Sequence, residues 1–260
     1  MATIDVFMYN GEEDILKIHL HELNKHVDKF IICEARTTFS GKSKPLYYRA
    51  VEPLISHSIR DKTEYVILPK FYSQEEWEIA TQSPNTQGAE HWKTEFLQKE
   101  SIKSALTKLH DDDVCYIGDV DEIWEPYSGT MPVKLKLRVY TYYLDNRSDE
   151  EFAGTLVAKY SQIKNSILNH LRSNSPHTKA YYGWHFTSQG GLHELERKLG
   201  DSYTEESYFT PEVQKHLQHR FHHNQDFLGR NFTYYTDESE WPKFLKKNRQ
   251  HFAHLCKGIA

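Results

Sequence analysis

The segment CYIGDVDEIW, residues 115–124, places an acidic cluster directly after a short apolar run. With Val114, the first residues of this segment have the composition of a buried strand. Asp119, Asp121 and Glu122 would then follow at the carboxyl end of that strand, where open α/β sheets hold their ligands. Residues two apart in an extended backbone project to the same face, so we expect Asp119 and Asp121 to converge on one point. Two carboxylates on one face suit Mg²⁺ or Mn²⁺.

The D-x-D pattern is weak evidence when it stands alone. The chain has 37 aspartates and glutamates among its 260 residues, so the pattern can arise by chance. An aspartate that precedes a helix also often serves only as its N-cap. The case for a metal site therefore depends on the rest of the sequence.

Composition narrows the class of protein. The formal net charge of −5, with both signs dispersed, argues against a protein that coats nucleic acid. The sequence shows neither a signal peptide nor a long apolar run, so we expect a cytoplasmic protein without a membrane-spanning segment. Cys33, Cys115 and Cys256 lie far apart in apolar surroundings, which indicates buried free thiols rather than disulfides or a zinc site.

Strands and helices alternate in the first half of the chain. TIDVFMY (residues 3–9) and DKFIICEA (residues 28–35) have the composition of strands and flank an amphipathic helix, which predicts a right-handed parallel unit. The carboxyl ends of parallel strands open on one edge of a sheet. We therefore expect a shared polar rim at that edge, formed by Asn10, Gly11, Glu12 and Glu34.

The pattern changes after residue 130. VKLKLRVYTYYL (residues 133–144) alternates charged and apolar residues, which predicts a half-exposed antiparallel strand. Further helices are predicted from near Leu192 and from about Pro211. The segment WPKFLKKNRQHFAHL (residues 241–255) predicts a final amphipathic helix.

Six segments of the chain, taken in order, resemble glycosyltransferase family 17, whose members include animal enzymes that add bisecting N-acetylglucosamine to N-glycans. These segments are NGEEDILKIHLHEL (10–23), VDKFIICEARTTFSGKSKPLYY (27–48), WKTEFLQKESI (92–102), DDVCYIGDVDEIW (112–124), GWHFTSQGG (183–191) and WPKFLKKNRQHF (241–252). The resemblance runs nearly from end to end.

The resemblance implies a GT-A-like α/β fold, with a mostly parallel Rossmann-like sheet first and an antiparallel and helical second half. It also implies a nucleotide-sugar donor such as UDP-GlcNAc, a carbohydrate acceptor, Mn²⁺ or Mg²⁺, and inversion at the anomeric carbon. We expect a single domain over residues 1–260. Residues 1–125 would form its nucleotide-sugar-binding half and residues 126–260 its acceptor-side half.

These expectations give roles to named residues. A cation that bridges the two phosphates would stabilise the leaving group, and we expect Asp121 to contact that cation. Asp119 would reach the metal or the ribose, and Glu122 would contact the sugar or support the metal ligands from behind. From the second half, Trp184 would approach the donor, and His185 would be a further metal ligand or would donate to a phosphate. The alternative for His185 is a buried histidine bonded to the backbone.

A predicted helix that begins near Trp92 offers a second binding surface. Trp92, Glu95, Gln98 and Lys99 fall along one stripe of that helix, and Lys99 would contact a donor phosphate. Alternatively, Glu95 and Lys99 form a solvated ion pair, and Trp92 belongs to the core.

The chain departs from the family pattern at three places. Lys99 and Glu100 replace an Arg-Asn pair, His19 stands where arginine is common, and Trp124 replaces a frequent proline. These departures leave open which donor and which acceptor are used.

An inverting transfer needs a general base to deprotonate the acceptor hydroxyl. Glu194, shortly after the Gly190-Gly191 turn, and Asp226, in NQDFLGR, are the two candidates. Either carboxylate could instead cap a helix or form a surface ion pair.

The sequence also offers three alternatives to a glycosyltransferase. A haloacid-dehalogenase-type phosphatase would need D-x-D after an early strand and Thr or Val where Ile123 stands. A noncatalytic glycan-binding protein would use the 17 tyrosines and 5 tryptophans for stacking on sugars, although aromatic residues are more often core. His216, His219 and His223 have helical spacing, but no acid or cysteine completes a zinc site, so a solvated helix face is the better account.

Overall fold

The computed structural model describes residues 1–86, 90–203 and 208–257, which form an α/β structure around one mixed sheet. The strands are β1 (Thr3–Met8), β2 (Lys29–Glu34), β3 (Thr63–Ile67), β4 (Val114–Asp119), β5 (Glu122–Trp124), β6 (Val133–Thr141), β7 (Asn146–Ser148), β8 (Phe152–Lys159), β9 (His177–Thr187) and β10 (Tyr234–Thr236).

Helices cover both faces of this sheet. The α-helices are α1 (Glu13–Leu23), α2 (Tyr48–Val51), α3 (His57–Arg60), α4 (Gln74–Gln82), α5 (Glu90–Ser101), α6 (Tyr160–Lys164), α7 (Leu168–Asn174), α8 (Gly191–Ser202), α9 (Pro211–His222) and α10 (Lys243–Lys247). Short 3₁₀ segments span Glu52–Leu54, Pro84–Thr86, Ile102–Leu106 and Ala253–Leu255. Within the described residues, none of the helices has the length and apolar character needed to cross a lipid bilayer.

The first half of the chain supplies a parallel set of strands. β3, β2, β1 and β4 lie side by side in that order and run in the same direction. Met8 is in register with both Cys33 and Asp119, so these strands end at nearly the same level. Asn10, Glu34 and Asp119 therefore lie along one edge of the sheet, as the sequence predicts.

The second half extends the sheet with mostly antiparallel pairs. β8 pairs with β4, β6 pairs with β8, and β7 and β10 follow outward, all antiparallel. β5 pairs antiparallel with β9, but β6 and β9 run parallel, which the sequence did not predict. Along β6, buried and half-buried residues alternate up to Arg138, in agreement with its alternating sequence.

Two apolar layers hold the central strands from both sides. Alternate residues of β1 face opposite layers: Phe7 belongs to the same buried cluster as Leu16 of α1, whereas Val6 belongs to the cluster of Ile102 on the other face. All of these side chains are almost fully buried. Burial of each stabilises the fold by about 1.5 to 3 kcal/mol, so both faces fix the position of the strand ends.

The predicted final helix over residues 241–255 is wrong for most of its length. The α-helix covers only Lys243–Lys247, and turns and a 3₁₀ segment follow it. Where the helix ends, the Phe244 carbonyl accepts from both the side chain of Asn248, at 2.8 Å, and its backbone amide, at 3.1 Å. The apolar residues still reach the core from this irregular path: Trp241, Leu245, Phe252 and Leu255.

Candidate active site

A cavity of about 440 Å³ opens at the carboxyl edge of the parallel strands. Its volume lies within the usual range for small-molecule sites, roughly 300 to 1,000 Å³. Residues that follow β1, β2 and β4 line it, together with parts of α5, α7 and α8. Its acidic, basic and histidine lining residues are Glu12, Lys44, Glu95, Lys99, Asp119, Asp121, Glu122, Lys134, Arg172, His185, Lys198 and Asp201.

The acidic cluster begins at the tip of β4, where the chain turns sharply into β5. The expectation of an extended backbone from Asp119 to Asp121 is wrong, because Val120 and Asp121 form a turn. The Val120 amide donates to the Met8 carbonyl at 3.1 Å, and the Phe186 amide donates to the Asp121 carbonyl at 2.8 Å. These bonds fix the turn against β1 and β9. Asp119 and Asp121 therefore line one cavity but have different neighbours.

Asp121 is the buried acid of the turn. The Lys198 ammonium lies 2.7 Å from its Oδ2, and His185 Nε2 lies 3.6 Å from its Oδ1. Burial alone would raise the pKa of Asp121, but Lys198 and His185 hold that pKa well below its usual range. Asp121 is therefore a stable anion at neutral pH.

Asp119 is more open to solvent, with 34% of its side chain exposed. Lys99 Nζ lies 3.7 Å from Asp119 and 2.6 Å from Glu95, so the predicted Glu95–Lys99 pair is present but lies in the cavity. Burial opposes the charge of Lys99, yet Asp119 and Glu95 outweigh it and raise the pKa of Lys99 to about 12. Gln98, on the same helix, lines the cavity and donates to the Thr37 carbonyl at 3.1 Å.

Glu122 is a fully buried carboxylate at the floor of the cavity. The Thr155 hydroxyl donates to its Oε2 at 2.9 Å, and Arg172 lies 3.9 Å from its Oε1. A Cβ atom at Gly118 or Gly154 would come within 2.5 Å of this carboxylate, so both glycines leave room for it. Burial, followed by the neighbouring Asp119 charge, raises the pKa of Glu122.

His185 projects from β9 toward the acidic turn. Its ring stacks on Phe152 with centroids 4.1 Å apart, and its Nδ1 is buried without a hydrogen-bond partner among the described residues. Burial opposes the imidazolium, but Asp121 outweighs it and raises the pKa of His185. The alternative of a histidine bonded to the backbone is not what the structure shows, because Nε2 faces a carboxylate.

These side chains fit a divalent cation in part. Asp119, Asp121 and His185 offer the carboxylate and imidazole ligands that suit Mn²⁺, and His185 has an unused nitrogen. In the part of the chain that the structure describes, no three His, Cys, Asp or Glu side chains are grouped closely enough to hold an ion unaided. Phosphate oxygens or water would have to complete the coordination of a cation at Asp121.

Asn10, Gly11 and Glu12 mark the turn from β1 into α1. Asn10 donates to Asp201 at 3.3 Å, and both residues line the cavity with Glu12. Burial raises the pKa of Glu12, although the Lys198 charge acts in the opposite direction. Gly11 has a φ of 98°, which favours glycine, and it lies outside the larger cavity.

Glu34 lies on the predicted rim but is not available to a donor, which corrects the expectation from sequence. Its buried carboxylate accepts hydrogen bonds from the amides of Tyr47 and Tyr48, from the Tyr65 hydroxyl and from Lys44. Because these four partners occupy it, Glu34 anchors the loop after β2. Lys44, which that carboxylate holds at 3.0 Å, is the member of this group that lines the cavity.

Two predicted aromatic contacts also lie outside the larger cavity. Trp184 points into the core, 6% exposed, and its indole donates to the Glu240 carbonyl at 2.6 Å. It faces away from His185, because successive residues of a strand alternate sides. Trp92 makes edge contacts with the rings of Tyr203 and Tyr208, and of these three only Tyr203 lines the cavity.

Asp226 is wrong as a candidate base, because its carboxylate is used by its own turn. It accepts from the amides of Leu228 and Arg230, each at 3.0 Å, and from the Arg230 guanidinium at 2.7 Å. It is 2% exposed and lines neither of the two cavities described here.

A smaller cavity of about 190 Å³ adjoins the larger one. The two share Glu12, Asp121 and Lys198 as a common wall. Glu194, the other candidate base, lines this smaller cavity, as does Gly11. The Arg197 guanidinium donates to Glu194 at 2.8 Å, so that carboxylate is paired in the absence of ligand.

Sequence reasoning missed most of the cationic lining. Lys198 and Arg172 come from α8 and α7. In the sequence they look like any other basic residue on a predicted polar helix face. Their importance follows only from the packing of those helices over the strand ends, and no local signal distinguishes them.

Comparison with known proteins identifies the family. The model of glycosyltransferase family 17 matches residues 2–189. Beta-1,4-mannosyl-glycoprotein 4-beta-N-acetylglucosaminyltransferase from Homo sapiens is 35% identical over 127 residues, which cover 46% of this chain and 21% of that protein. The protein of the same name from Rattus norvegicus shows the same values. The chain thus spans about a fifth of the length of these relatives.

Among solved structures, a UDP-glucose pyrophosphorylase complexed with UDP-glucose has a TM-score of 0.32 and 9% identity to this chain. That likeness covers 77% of this chain and 98% of the other, and at such a TM-score it carries no argument. The family match extends over residues 2–189 of the 260, and on that basis the chain belongs to glycosyltransferase family 17.

Proposed function

We propose that this chain is a GT-A-like, metal-dependent inverting glycosyltransferase that moves a sugar from a nucleotide-sugar donor to a hydroxyl of a glycan. UDP-GlcNAc is the first donor to test, because the name of the relatives states that they transfer N-acetylglucosamine to a mannosyl glycoprotein. The observation that carries the proposal is the acidic turn at the end of β4, which lies in a cavity rich in cations. Membership of the family argues against the phosphatase and glycan-binding alternatives.

The larger cavity suits a nucleoside diphosphate. Besides His185, its cationic side chains are Lys44, Lys99, Lys134, Arg172 and Lys198. Cations that line a partly enclosed site neutralise phosphate charge more effectively than cations exposed to water. The leaving group of the proposed reaction is a diphosphate, so this lining favours both donor binding and departure of the product.

The proposed reaction exchanges one bond at the anomeric carbon. The acceptor hydroxyl oxygen forms a bond to that carbon from the face opposite the diphosphate. The carbon–oxygen bond to the phosphate breaks, and its electron pair leaves with the diphosphate. The hydroxyl proton passes to a carboxylate that acts as general base. A Mn²⁺ or Mg²⁺ ion held by Asp121, with Asp119 and His185, would supply charge neutralisation at the leaving group.

The smaller cavity is the proposed place for the acceptor. It adjoins the donor cavity across Glu12, Asp121 and Lys198, so a sugar there would lie next to the reacting carbon. Its volume exceeds the roughly 150 Å³ of a cavity that is known to bind benzene. The smaller cavity is therefore large enough for one sugar ring. Glu194 is our first candidate for the general base, and Glu12 is the second. The division into a donor half and an acceptor half and the cytoplasmic location stay predictions.

A thermal-shift series tests the donor proposal. The melting temperature would be measured with UDP- and GDP-sugars, each with and without Mn²⁺. A ligand that binds only the folded protein at 100 times its Kd adds about 2.7 kcal/mol to the free energy of unfolding. We expect UDP-GlcNAc with Mn²⁺ to give the largest shift. If no nucleotide sugar raises the melting temperature, the proposed function is wrong.

A further inference from the structure

Lys198 occupies an unexpected position in the proposed donor site. It lies on α8, beyond residues 2–189 that match the family model. Its Nζ is 2.7 Å from Asp121 Oδ2, at the carboxylate that we assign to the divalent cation. It lines both cavities and therefore stands between the proposed donor and acceptor.

The charges around Lys198 keep its ammonium ion in place. Burial alone would favour the neutral amine, but Asp121 and Glu12 outweigh it and raise the pKa of Lys198. Among the described residues, Asp121 is the single carboxylate within ion-pair distance of Lys198. Lys99 is different, because Glu95 holds it at 2.6 Å while Asp119 lies 3.7 Å away. A cation that bound to Asp121 would therefore displace Lys198 from its one ion-pair partner among the described residues.

We propose that Lys198 is an exchangeable cation of the donor site: it neutralises Asp121 without ligand and moves to the diphosphate when a divalent ion takes Asp121. This inference rests on the proposed function. A divalent ion and an ammonium ion repel each other strongly when both contact one buried carboxylate. The long, flexible lysine stem lets Nζ move to a nearby phosphate while α8 stays in place.

The inference predicts that removal of the Lys198 charge changes the affinities for Mn²⁺ and for the nucleotide in opposite directions. Without nucleotide, Lys198 competes with Mn²⁺ for Asp121, so the removal of its charge strengthens Mn²⁺ binding. With the metal present, Lys198 binds the diphosphate, so the same change weakens nucleotide binding. A lysine with a merely structural role would weaken both or change neither.

The test compares Lys198→Met with the parent protein by titration calorimetry. Two dissociation constants are measured, one for Mn²⁺ alone and one for UDP at saturating Mn²⁺. We expect Lys198→Met to bind Mn²⁺ at least roughly fivefold more tightly, at the lower end of typical coupling between two ligands. We expect it to bind UDP roughly tenfold more weakly, as the loss of a charged hydrogen bond implies.

Two further variants act as controls. Lys103→Met removes an ion-paired lysine of similar exposure, 30% against 26%, that lines neither cavity, and it should change neither constant. Lys198→Arg keeps the charge and should keep the Mn²⁺ affinity of the parent within a factor of roughly two. If Lys198→Met does not fold, Lys198→Gln replaces it as the variant without charge. Lys198→Arg then remains the comparison that keeps the charge.

Unchanged or weaker Mn²⁺ binding in Lys198→Met would overturn the inference, and so would unchanged UDP binding. A parent protein that binds Mn²⁺ but no nucleotide would instead refute the proposed function. In that case the Mn²⁺ titration alone decides whether Lys198 competes for Asp121.

Discussion

The imidazole of His19 contacts the carboxylate of Asp5 at 2.7 Å, with both side chains at most 2% exposed. The other ring nitrogen, Nδ1, lies 2.9 Å from the Val120 carbonyl oxygen. A carbonyl only accepts, so Nδ1 must carry a hydrogen. The contact between Nε2 and the carboxylate is a second hydrogen bond, so both ring nitrogens of His19 have a buried partner.

The Asp5–His19 pair supports the turn formed by Val120 and Asp121. Trp124 donates its indole N–H to the second oxygen of Asp5 at 2.7 Å, so Asp5 joins α1, β5 and the turn. Val120 stands between Asp119 and Asp121, and the hydrogen bond from His19 fixes its carbonyl. His19 and Trp124 thus meet at one carboxylate.

Replacement of His19 by leucine should destabilise the protein strongly. The change leaves Asp5 buried with one donor and the Val120 carbonyl without its partner. The free energy of unfolding, measured with urea, should fall by about 2 to 6 kcal/mol, because two buried acceptors each lose a hydrogen-bond donor. His21→Leu is the control, because His21 lies on the same helix but is exposed, and its ring stacks on Phe244 at 4.7 Å. Equal losses in the two variants would refute the role of the Asp5 network.

Asp121→Asn should abolish transfer but leave the protein folded. Asparagine keeps the size of the side chain and an oxygen that can accept from Lys198, but it loses the charge that would hold a cation. We expect transfer to fall by at least roughly 100-fold, as when one group that stabilises the transition state is lost. The assay is sugar transfer with Mn²⁺, and circular dichroism reports the fold. Asp111→Asn, at an exposed ion pair with Lys164, should retain full activity. Retention of most metal-dependent activity by Asp121→Asn would contradict the assignment.

The strand ends could be predicted from sequence because their cause is local. An apolar run followed by polar residues marks where a buried strand leaves the core, and parallel strands in register bring those points together. This reasoning placed Asn10, Glu34 and Asp119 on one edge. It could not show that Glu34 turns to the Tyr47 and Tyr48 amides, because those partners depend on how the following loop folds back.

The cationic part of the site could not be predicted, for a related reason. Lys198 reaches Asp121 across 77 positions in the chain, and Arg172 approaches Glu122 across 50. Such contacts depend on how α7 and α8 pack over the sheet. The helical pattern predicts those helices but not the direction in which one of their polar residues points. Asp226 is a different case, because its partners lie in its own turn, two and four residues further along the chain.

Glu194 and Asp226, the two carboxylates that the sequence offers as general base, should respond differently to removal of their charge. Glu194→Gln should lower the turnover number but leave donor binding and stability nearly unchanged, because Glu194 is 41% exposed and lines the smaller cavity. Asp226→Asn should do the reverse and lower the free energy of unfolding by about 1 to 3 kcal/mol, since its backbone donors lose a charged acceptor. Steady-state kinetics and urea unfolding on both variants provide the measurements. Normal turnover in Glu194→Gln would transfer the base role to Glu12.

The three cysteines should resist alkylation in the folded protein. Burial raises the pKa of Cys33 and of Cys115 to about 12, and that of Cys256 to about 11. A pH of 8 is well below these pKa values, so only a small fraction of each thiol is present as the reactive thiolate. The three side chains are also buried. Iodoacetamide at pH 8 should label none of them rapidly in the native state and all three in guanidinium chloride. Fast labelling of a single cysteine in native protein would contradict its burial.

His185→Ala tests whether the histidine belongs to the ligand site or only to the fold. Its Nδ1 has no partner among the described residues and its Nε2 faces Asp121 at 3.6 Å, so its removal breaks no hydrogen bond in that part of the chain. A ligand or phosphate donor acts only in the complex, and its loss should lower the stabilisation by nucleotide and Mn²⁺.

The measurement is a pair of melting curves, with and without Mn²⁺ and UDP, for variant and parent. His170→Ala serves as the control, because His170 is half-buried and hydrogen-bonded to Ser83 but lines neither cavity. We expect a smaller ligand-induced shift in His185→Ala and a shift close to that of the parent in His170→Ala. Equal shifts in His185→Ala and the parent would assign His185 to the core and remove it from the proposed metal site.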